Sequence, residues 1–339
     1  MIFPLTQPSK LILKNKHLFY QKKVIFSGNI KDTIPDSIHT LSTVVHTNMY
    51  NNWHMLKNIK KHKVYYNLFL KKDIILNANT LIYYWPKNKS EAYFQLQKIL
   101  SILNKQSHIF IVGENCSGVK SAILKLKPWV TLKKIDTAKH CILTYGILLK
   151  NTYFKLKSFF NTYIWKNNII RTLPGMFDYR GINIGSALLI STFTKNIQGK
   201  ILDIGTGSGI LTIALAQISK KIHPTLIDVN LTAILASKIN LSFNKITGSV
   251  FSSDLYSDIN SKKKFNIIIS NPPLHNGIKI SYHETINFIK QSINYLKPKG
   301  EIRFVTNSCL SYKKILDNTF STHCILKKNN YFKIYQAYL

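Results

Sequence analysis

The sequence predicts an α/β protein of two domains, the second built on a parallel sheet with helices on both faces. The first observation is length: 339 residues exceed one ordinary core and suit two domains of roughly 150–180 residues each. The second is that apolar strand-like runs alternate with helix-like runs along most of the chain, the pattern of a sheet covered on both faces. The third is a single interruption. Around 151–175 the apolar periodicity weakens into "KSFFNTYIWKNNIIRTLPGMFDYRG", an interdomain stretch that ends in turns at Pro174-Gly175 and Arg180-Gly181. Domains of 1–165 and 166–339 follow.

In the first half "KVIFSG" reads as a strand, and "TLIYYWPKN" as a strand stopped by Pro86. An amphipathic helix "SEAYFQLQKILSIL" comes next, with Ser90 at its cap. "HIFIVGENCSGVKSAILKL" gives a strand, a glycine turn and a helix. The second half reads more clearly. Strands are expected at "KILDIG", "PTLIDVN", "SVFSSDLY", "FNIIISNPP" and "EIRFVTN". Between them lie the helical runs "ILTIALAQISKK", "LTAILASKINLSFN" and "SYHETINFIKQSINYL", the last ending at Lys297-Pro298-Lys299-Gly300. A sheet of this kind binds ligands at the carboxyl ends of its strands.

Forty-seven Lys+Arg against 14 Asp+Glu give a formal net charge of +33, a field for which a nucleic acid is the natural partner. Only Arg171, Arg180 and Arg303 are arginine, however, and an excess of Lys, Asn, Ile, Phe and Tyr is what an AT-rich coding sequence imposes on any protein. Both readings of the charge stay open on composition. The scarcity of acids is more useful, because each Asp that is kept stands out. No run of about 18 uncharged apolar residues occurs and the first twenty residues have no signal-peptide pattern, so no membrane partner and a cytoplasmic location are expected. Cys116, Cys141, Cys309 and Cys324 are scattered without metal-ligand spacing, which argues against a zinc site and a disulfide framework. Reduced, partly buried thiols are expected.

"ILDIGTGSG" places Asp203 two residues before Gly205, with Gly207 and Gly209 following on a strand-to-helix turn. Glycines there let the backbone turn tightly and approach a ligand. The spacing is D-x-G-x-G-x-G rather than the G-x-G-x-x-G of a pyrophosphate cradle, and it resembles motif I of class I S-adenosylmethionine-dependent methyltransferases. That resemblance has the acid facing the methionine ammonium. Asp228, ending "TLID", stands where an acid after the second strand accepts ribose hydroxyls. Asp254 in "VFSSDLY" stands where the family holds the adenine amino group. Each alone could be a cap or turn residue, but three of only 14 acids fall at three successive cofactor positions.

"SNPPLHNG" at 270–277 leaves an apolar strand through two prolines, which end hydrogen-bonded structure and leave free carbonyls on a stiff backbone. It resembles the N-P-P motif of amino-methyltransferases. There the Asn oxygen and the first proline's carbonyl accept hydrogen bonds from an exocyclic amine, favouring a pyramidal nitrogen with an available lone pair. Leu274 and His275 would pack on or bond to the base, or be a core and a loop residue.

These motifs, with "TLIYYWPKNKSEAYFQL", "IFIVGEN", "TLPGMFDYRGINIGSALLIST" and the terminal "FKIYQAYL", are similar over essentially the whole chain to the ribosomal RNA small subunit methyltransferase C family, 16S rRNA guanine-N2 methyltransferases. The resemblance implies two tandem class I methyltransferase-like (Rossmann-like) domains, the N-terminal one degenerate and serving RNA contact or structural support. It implies S-adenosyl-L-methionine as cofactor, 16S rRNA or the small ribosomal subunit as partner, no metal, and a monomer. It carries Asn271 and Pro272 as catalytic residues. Asp203, Gly205, Gly207, Gly209, Asp228 and Asp254 become cofactor-binding, and Pro273, Leu274 and His275 substrate-binding. In "HIFIVGENCSG" the position matched to Asp203 is apolar, and the first domain has no N-P-P loop. Leu274 replaces the usual aromatic, and Thr206 replaces a common Cys, which should be harmless because the backbone makes the turn. The alternatives are a related enzyme acting on another rRNA guanine, a DNA adenine or a protein glutamine, and a catalytically silent RNA-binding assembly factor.

Overall fold

"KVIFSG" forms the first strand, β1 (Lys23–Gly28), in a computed structural model that describes residues 4–58, 62–75, 77–272 and 278–339. The chain divides into two compact units, Met1–Phe159 and Phe160–Leu339. In the first unit β1 is followed by β2 (Ser42–Thr47), β3 (Lys63–Tyr66), β4 (Thr80–Tyr84), β5 (His108–Glu114), β6 (Lys133–Ala138) and β7 (Cys141–Ile147). Helices α1 (Gln7–Lys14), α2 (Tyr50–Leu56), α3 (Lys72–Ile75), α4 (Lys89–Ile102) and α5 (Ser121–Lys125) join and cover them. The sheet order is β3-β2-β1-β4-β5-β7-β6, parallel through β5 and antiparallel at β7 and β6. Alternate residues of each central strand serve opposite cores, as the period of two requires. Ile25, Leu81, Tyr83 and Ile109 face one side, and Phe26, Ile82, Tyr84 and Phe110 the other.

The second unit opens with a hairpin of β8 (Asn161–Trp165) and β9 (Asn168–Thr172), then α6 (Ile184–Ile190). The alternation that follows is β10 (Gly199–Ile204), α7 (Ile210–Ile218), β11 (Ile222–Asp228), α8 (Leu231–Phe243), β12 (Ser249–Ser252) and β13 (Phe265–Ser270). It ends with α9 (Ile278–Ser292), β14 (Leu296–Asn307), α10 (Lys313–Asp317), β15 (Thr322–Lys328) and β16 (Phe332–Tyr338). The order β12-β11-β10-β13-β14-β16-β15 repeats that of the first unit, with β16 again antiparallel. Two buried cores sandwich this sheet as well, Leu202, Ile268 and Phe304 on one face and Ile201, Ile269 and Val305 on the other.

Several expectations are corrected. The stretch taken as interdomain is the β8–β9 hairpin, whose Arg171 N–H donates to Asn240 Oδ1 at 2.8 Å while Asn240 Nδ2 donates to the Arg171 carbonyl at 2.8 Å, tying β9 to α8. The expected boundary after residue 165 lies at the end of β8, close to the division after Phe159. Helix α4 is capped by Asn88, which accepts from the amides of Ser90 and Glu91, and not by Ser90. Lys297–Gly300 does not stop structure: β14 already runs through it, with a register shift opposite Phe265–Ile267. Of the four free cysteines only Cys141 is buried.

Candidate active site

The four strands β12-β11-β10-β13 end side by side, and their registers bring chemistry to one rim. Asp203 pairs with Leu226 on one side and Ile269 on the other. Asp228 is opposite Ser252, two residues before Asp254, and Ile204 is opposite Ser270, the residue before Asn271. The chain winds toward β11 from β10 in one direction and toward β13 in the other, so this rim is a topological switch point.

The loop between β10 and α7 has Gly205, Gly207 and Gly209 at φ +68°, +57° and +82°, a left-handed path that side chains disfavour. A Cβ on Gly205 would meet nothing within 4 Å, so that face of the loop lies open. The Gly207 N–H donates to Asp228 Oδ2 at 3.0 Å and the Asn230 N–H to Asp228 Oδ1 at 2.9 Å. These bonds aim the Asp228 carboxylate along the loop. Asp254 lies exposed in the turn after β12, its N–H donating to Ser257 Oγ at 3.2 Å.

Asp203 is fully buried. Both Thr206 Oγ1 (2.9 Å) and Thr212 Oγ1 (2.7 Å) donate to its Oδ2. Its buried Oδ1 has no hydrogen-bond partner among the described residues. Burial raises the carboxyl to about 6, the two threonine bonds opposing and the Asp228 charge adding to the rise. Burial also raises Asp228, with a further push from Asp178. A buried carboxylate oxygen beside like charges is a poor end in itself and a good receptor for a cation.

Asn271 stands directly after β13, half-buried, and Pro272 is buried beside it. Ser270 Oγ donates to the Ile204 carbonyl at 2.9 Å, pinning the end of β13 to that of β10. Asn271 Nδ2 donates to Ser186 Oγ at 2.7 Å. Pro273, Leu274 and His275 lie outside the described residues. Among the described residues no group of three or more His, Cys, Asp or Glu side chains is disposed to hold a metal ion, and no helix is long and apolar enough to cross a membrane.

Residues 167–336 match the model of the methyltransferase small domain, and residues 9–163 that of its N-terminal domain. The ribosomal RNA small subunit methyltransferase C of Buchnera aphidicola subsp. Schizaphis graminum is 48% identical over 100% of both chains. The chain belongs to the ribosomal RNA small subunit methyltransferase C family. The family member from Escherichia coli O17:K52:H18 is 39% identical, covering 98% of this chain and 96% of its own. A solved T. thermophilus 16S rRNA N2 G1207 methyltransferase, in complex with AdoMet and guanosine, shares the fold with a TM-score of 0.82 at 16% identity, over 99% of this chain and 94% of its own.

Within this family fold the strand ends hold one acid beyond Asp203, Asp228 and Asp254. Asp178, in the turn before α6, is buried and accepts from Ser208 Oγ, while its Oδ1 has no partner among the described residues. Burial raises its carboxyl too. The signal for it was present: an acid in an acid-poor chain, set between two turns. Thr206 was also undervalued, since its hydroxyl is one of the two that hold Asp203.

The first unit carries the same sheet with different residues at the rim. Sheet order makes β1, not the "HIFIVG" strand β5, the counterpart of β10. Matching the last paired residues, Gly28 with Tyr84 and Ile204 with Ser270, sets Ser27 at the place of Asp203, Asn48 at that of Asp228 and Trp85 at that of Asn271. Ser27 Oγ bonds His46 Nδ1 at 2.8 Å, and His46 Nε2 donates to the Asn67 carbonyl at 2.9 Å. Burial pushes His46 down to about 4, so it is neutral near pH 7. A Cβ on Gly28 would meet the Tyr84 carbonyl oxygen at 2.2 Å, and the Asn29 N–H bonds that oxygen at 2.9 Å, so the chain closes over the rim between β1 and β4. The aromatics of "YYWPKN" are core: Tyr83, Tyr84 and Trp85 are all buried.

Proposed function

We propose that this chain transfers a methyl group from S-adenosylmethionine to the N2 amine of a guanine in 16S rRNA, the position named G1207 for the T. thermophilus protein. The observation that carries the reading is the convergence, at one switch point, of the buried unpaired Asp203 oxygen, the open glycine loop and Asn271-Pro272. Membership of a family whose members are named for small-subunit rRNA methylation supports the substrate class.

The residues present fit the cofactor. Asp203 Oδ1 is a receptor for its ammonium, the Asp228 carboxylate at the end of β11 suits the ribose hydroxyls, and Asp254 stands on the side where adenine would lie. When bound, the cofactor supplies an electrophilic sulfonium methyl. The chain's part is then to make a nitrogen lone pair available. Asn271 Oδ1 and the Pro272 carbonyl accept the amine's two hydrogens, which disfavours conjugation of the nitrogen with the purine ring. The bound cofactor would give up its methyl carbon with sulfur keeping the bonding pair, and the methylated amine would lose one proton to water. No strong base is needed. The first unit, with Ser27, Asn48 and Trp85 at the matching places, is the degenerate partner, and its role is structural support and RNA contact.

The test is transfer of labelled methyl to small-subunit RNA followed by digestion and identification of the modified nucleoside. N2-methylguanosine at one position is the expected product, whereas N6-methyladenosine or no transfer with tight RNA binding would replace this reading. Asp228→Ala should weaken cofactor binding by about 1.5–3 kcal/mol, the range for hydrogen bonds to a charged group, as read by calorimetry. RNA affinity should fall steeply with salt as lysines replace counterions on phosphates. Were the +33 charge only compositional, target RNA would compete no better than unrelated RNA at fixed physiological salt.

A further inference from the structure

The segment "GINIGSALL" lies in a stretch that marks the family resemblance, yet neither the cofactor nor the base reading gives it a task. Its geometry is specific. Asn183 caps α6, its Oδ1 accepting from the Gly185 N–H at 2.8 Å. A Cβ on Gly185 would lie 3.3 Å from Val305 Cγ2 on β14 and 3.6 Å from Phe332 Cδ1 on β16, so the glycine allows α6 to sit close against those strands. That close seat brings Ser186, which is buried, to the end of the neighbouring strand β13, where its Oγ takes the hydrogen bond from Asn271 Nδ2 at 2.7 Å.

We infer that Ser186 is a positioning residue: it holds the Asn271 amide in the orientation that presents Oδ1, rather than Nδ2, to the substrate amine. This rests on the proposed amine-methylating reading of the site. An Asn side chain is nearly symmetric in shape, and rotation by half a turn exchanges an acceptor for a donor. A donor facing an N–H₂ group would repel it and withdraw the acceptor that the pyramidal nitrogen needs. Among the described residues the Asn271 side chain has one hydrogen-bond partner, Ser186. A serine hydroxyl can accept or donate; here it accepts from Nδ2, and that bond turns Nδ2 toward α6 and leaves Oδ1 for the substrate amine.

Single-turnover methyl transfer with saturating cofactor, on the full chain, tests this in a double-mutant cycle of Ser186→Ala and Asn271→Ala. Ser186→Ala is expected to slow transfer by up to about 10²-fold, the scale of a reacting group misplaced by about 1 Å, with cofactor affinity and the KM for RNA unchanged. In the Asn271→Ala background the same substitution should have no further effect on rate, because the group it positions is gone. Retained cofactor binding in each variant shows that the rim is folded. An unchanged Ser186→Ala rate overturns the inference, as does an equal loss in both backgrounds, which would mark a purely structural serine. A wild-type chain that transfers no methyl to RNA would remove the functional reading and this inference together. Wild-type transfer with an unaltered Ser186→Ala rate would remove this inference alone.

Discussion

Replacing Asn271 by alanine is expected to slow methyl transfer by about 10²–10³-fold, the loss seen when one preorganised hydrogen-bonding group is removed from a developing transition state. Cofactor affinity should be spared. The side chain follows β13, on the far side of β10 from Asp228 and β12, so the rim residues proposed for the cofactor do not depend on it. An interaction that strengthens only as the nitrogen pyramidalises appears in the rate of the chemical step, not in binding. Single-turnover kinetics with saturating cofactor isolates that step. A wild-type rate in Asn271→Ala would mean that the prolines merely end a strand.

The second unit was largely legible in the sequence because its strands are short apolar runs separated by glycine and proline signals, and its proposed ligand positions are spaced by those same strands. Asp203, Asp228 and Asn271 follow from counting along three strands, and parallel pairing brings their ends to one edge. What the sequence hid is the contribution of segments distant in the chain. Asp178 and Ser186 precede β10 and reach the rim only through the seating of the turn and helix beside it. The hairpin at 161–172 reads as a linker because residue polarity does not follow its burial: Asn168 and Thr172 are buried while Ile164 and Ile169 are exposed. Thr206 in place of a common Cys is harmless to a turn made by backbone, yet its hydroxyl is spent on Asp203.

The first unit was harder for a different reason. Its β5 run "HIFIVGENCSG" imitates the strand-glycine-helix order of a ligand loop, but the sheet sets β5 where β14 lies in the second unit. The true counterpart, β1, ends in Ser27-Gly28 and a turn closed by the Tyr84 carbonyl. One topology therefore appears twice with opposite electrostatics at its rim. In one unit three carboxylates gather with two unpaired oxygens, and in the other a serine and a neutral histidine satisfy each other. Fold permits a site; the residues at the strand ends decide whether there is one.

Asp203→Asn is expected to weaken S-adenosylmethionine binding by about 2–5 kcal/mol, the cost of removing one partner of a buried charge pair. The substitution keeps an oxygen for the Thr206 and Thr212 hydroxyls, so the loop should survive and the loss should report the charge facing the ammonium. The same carboxyl gives binding a pH dependence of known sign. Burial holds Asp203 at about 6, above its unfolded value, so its contribution to the stability of the ligand-free chain is fullest below that unfolded value and is lost as pH rises through about 6. A cationic ligand needs the ionised form, and its affinity therefore runs the other way. It should rise with pH to a plateau above about 7 and be weaker by about tenfold at pH 5, one pH unit below the carboxyl's value. Calorimetry on the full chain at pH 5 and 7.5 measures both quantities. If Asp203→Asn keeps that pH step, another group carries it, and the assignment of Asp203 to the ammonium fails.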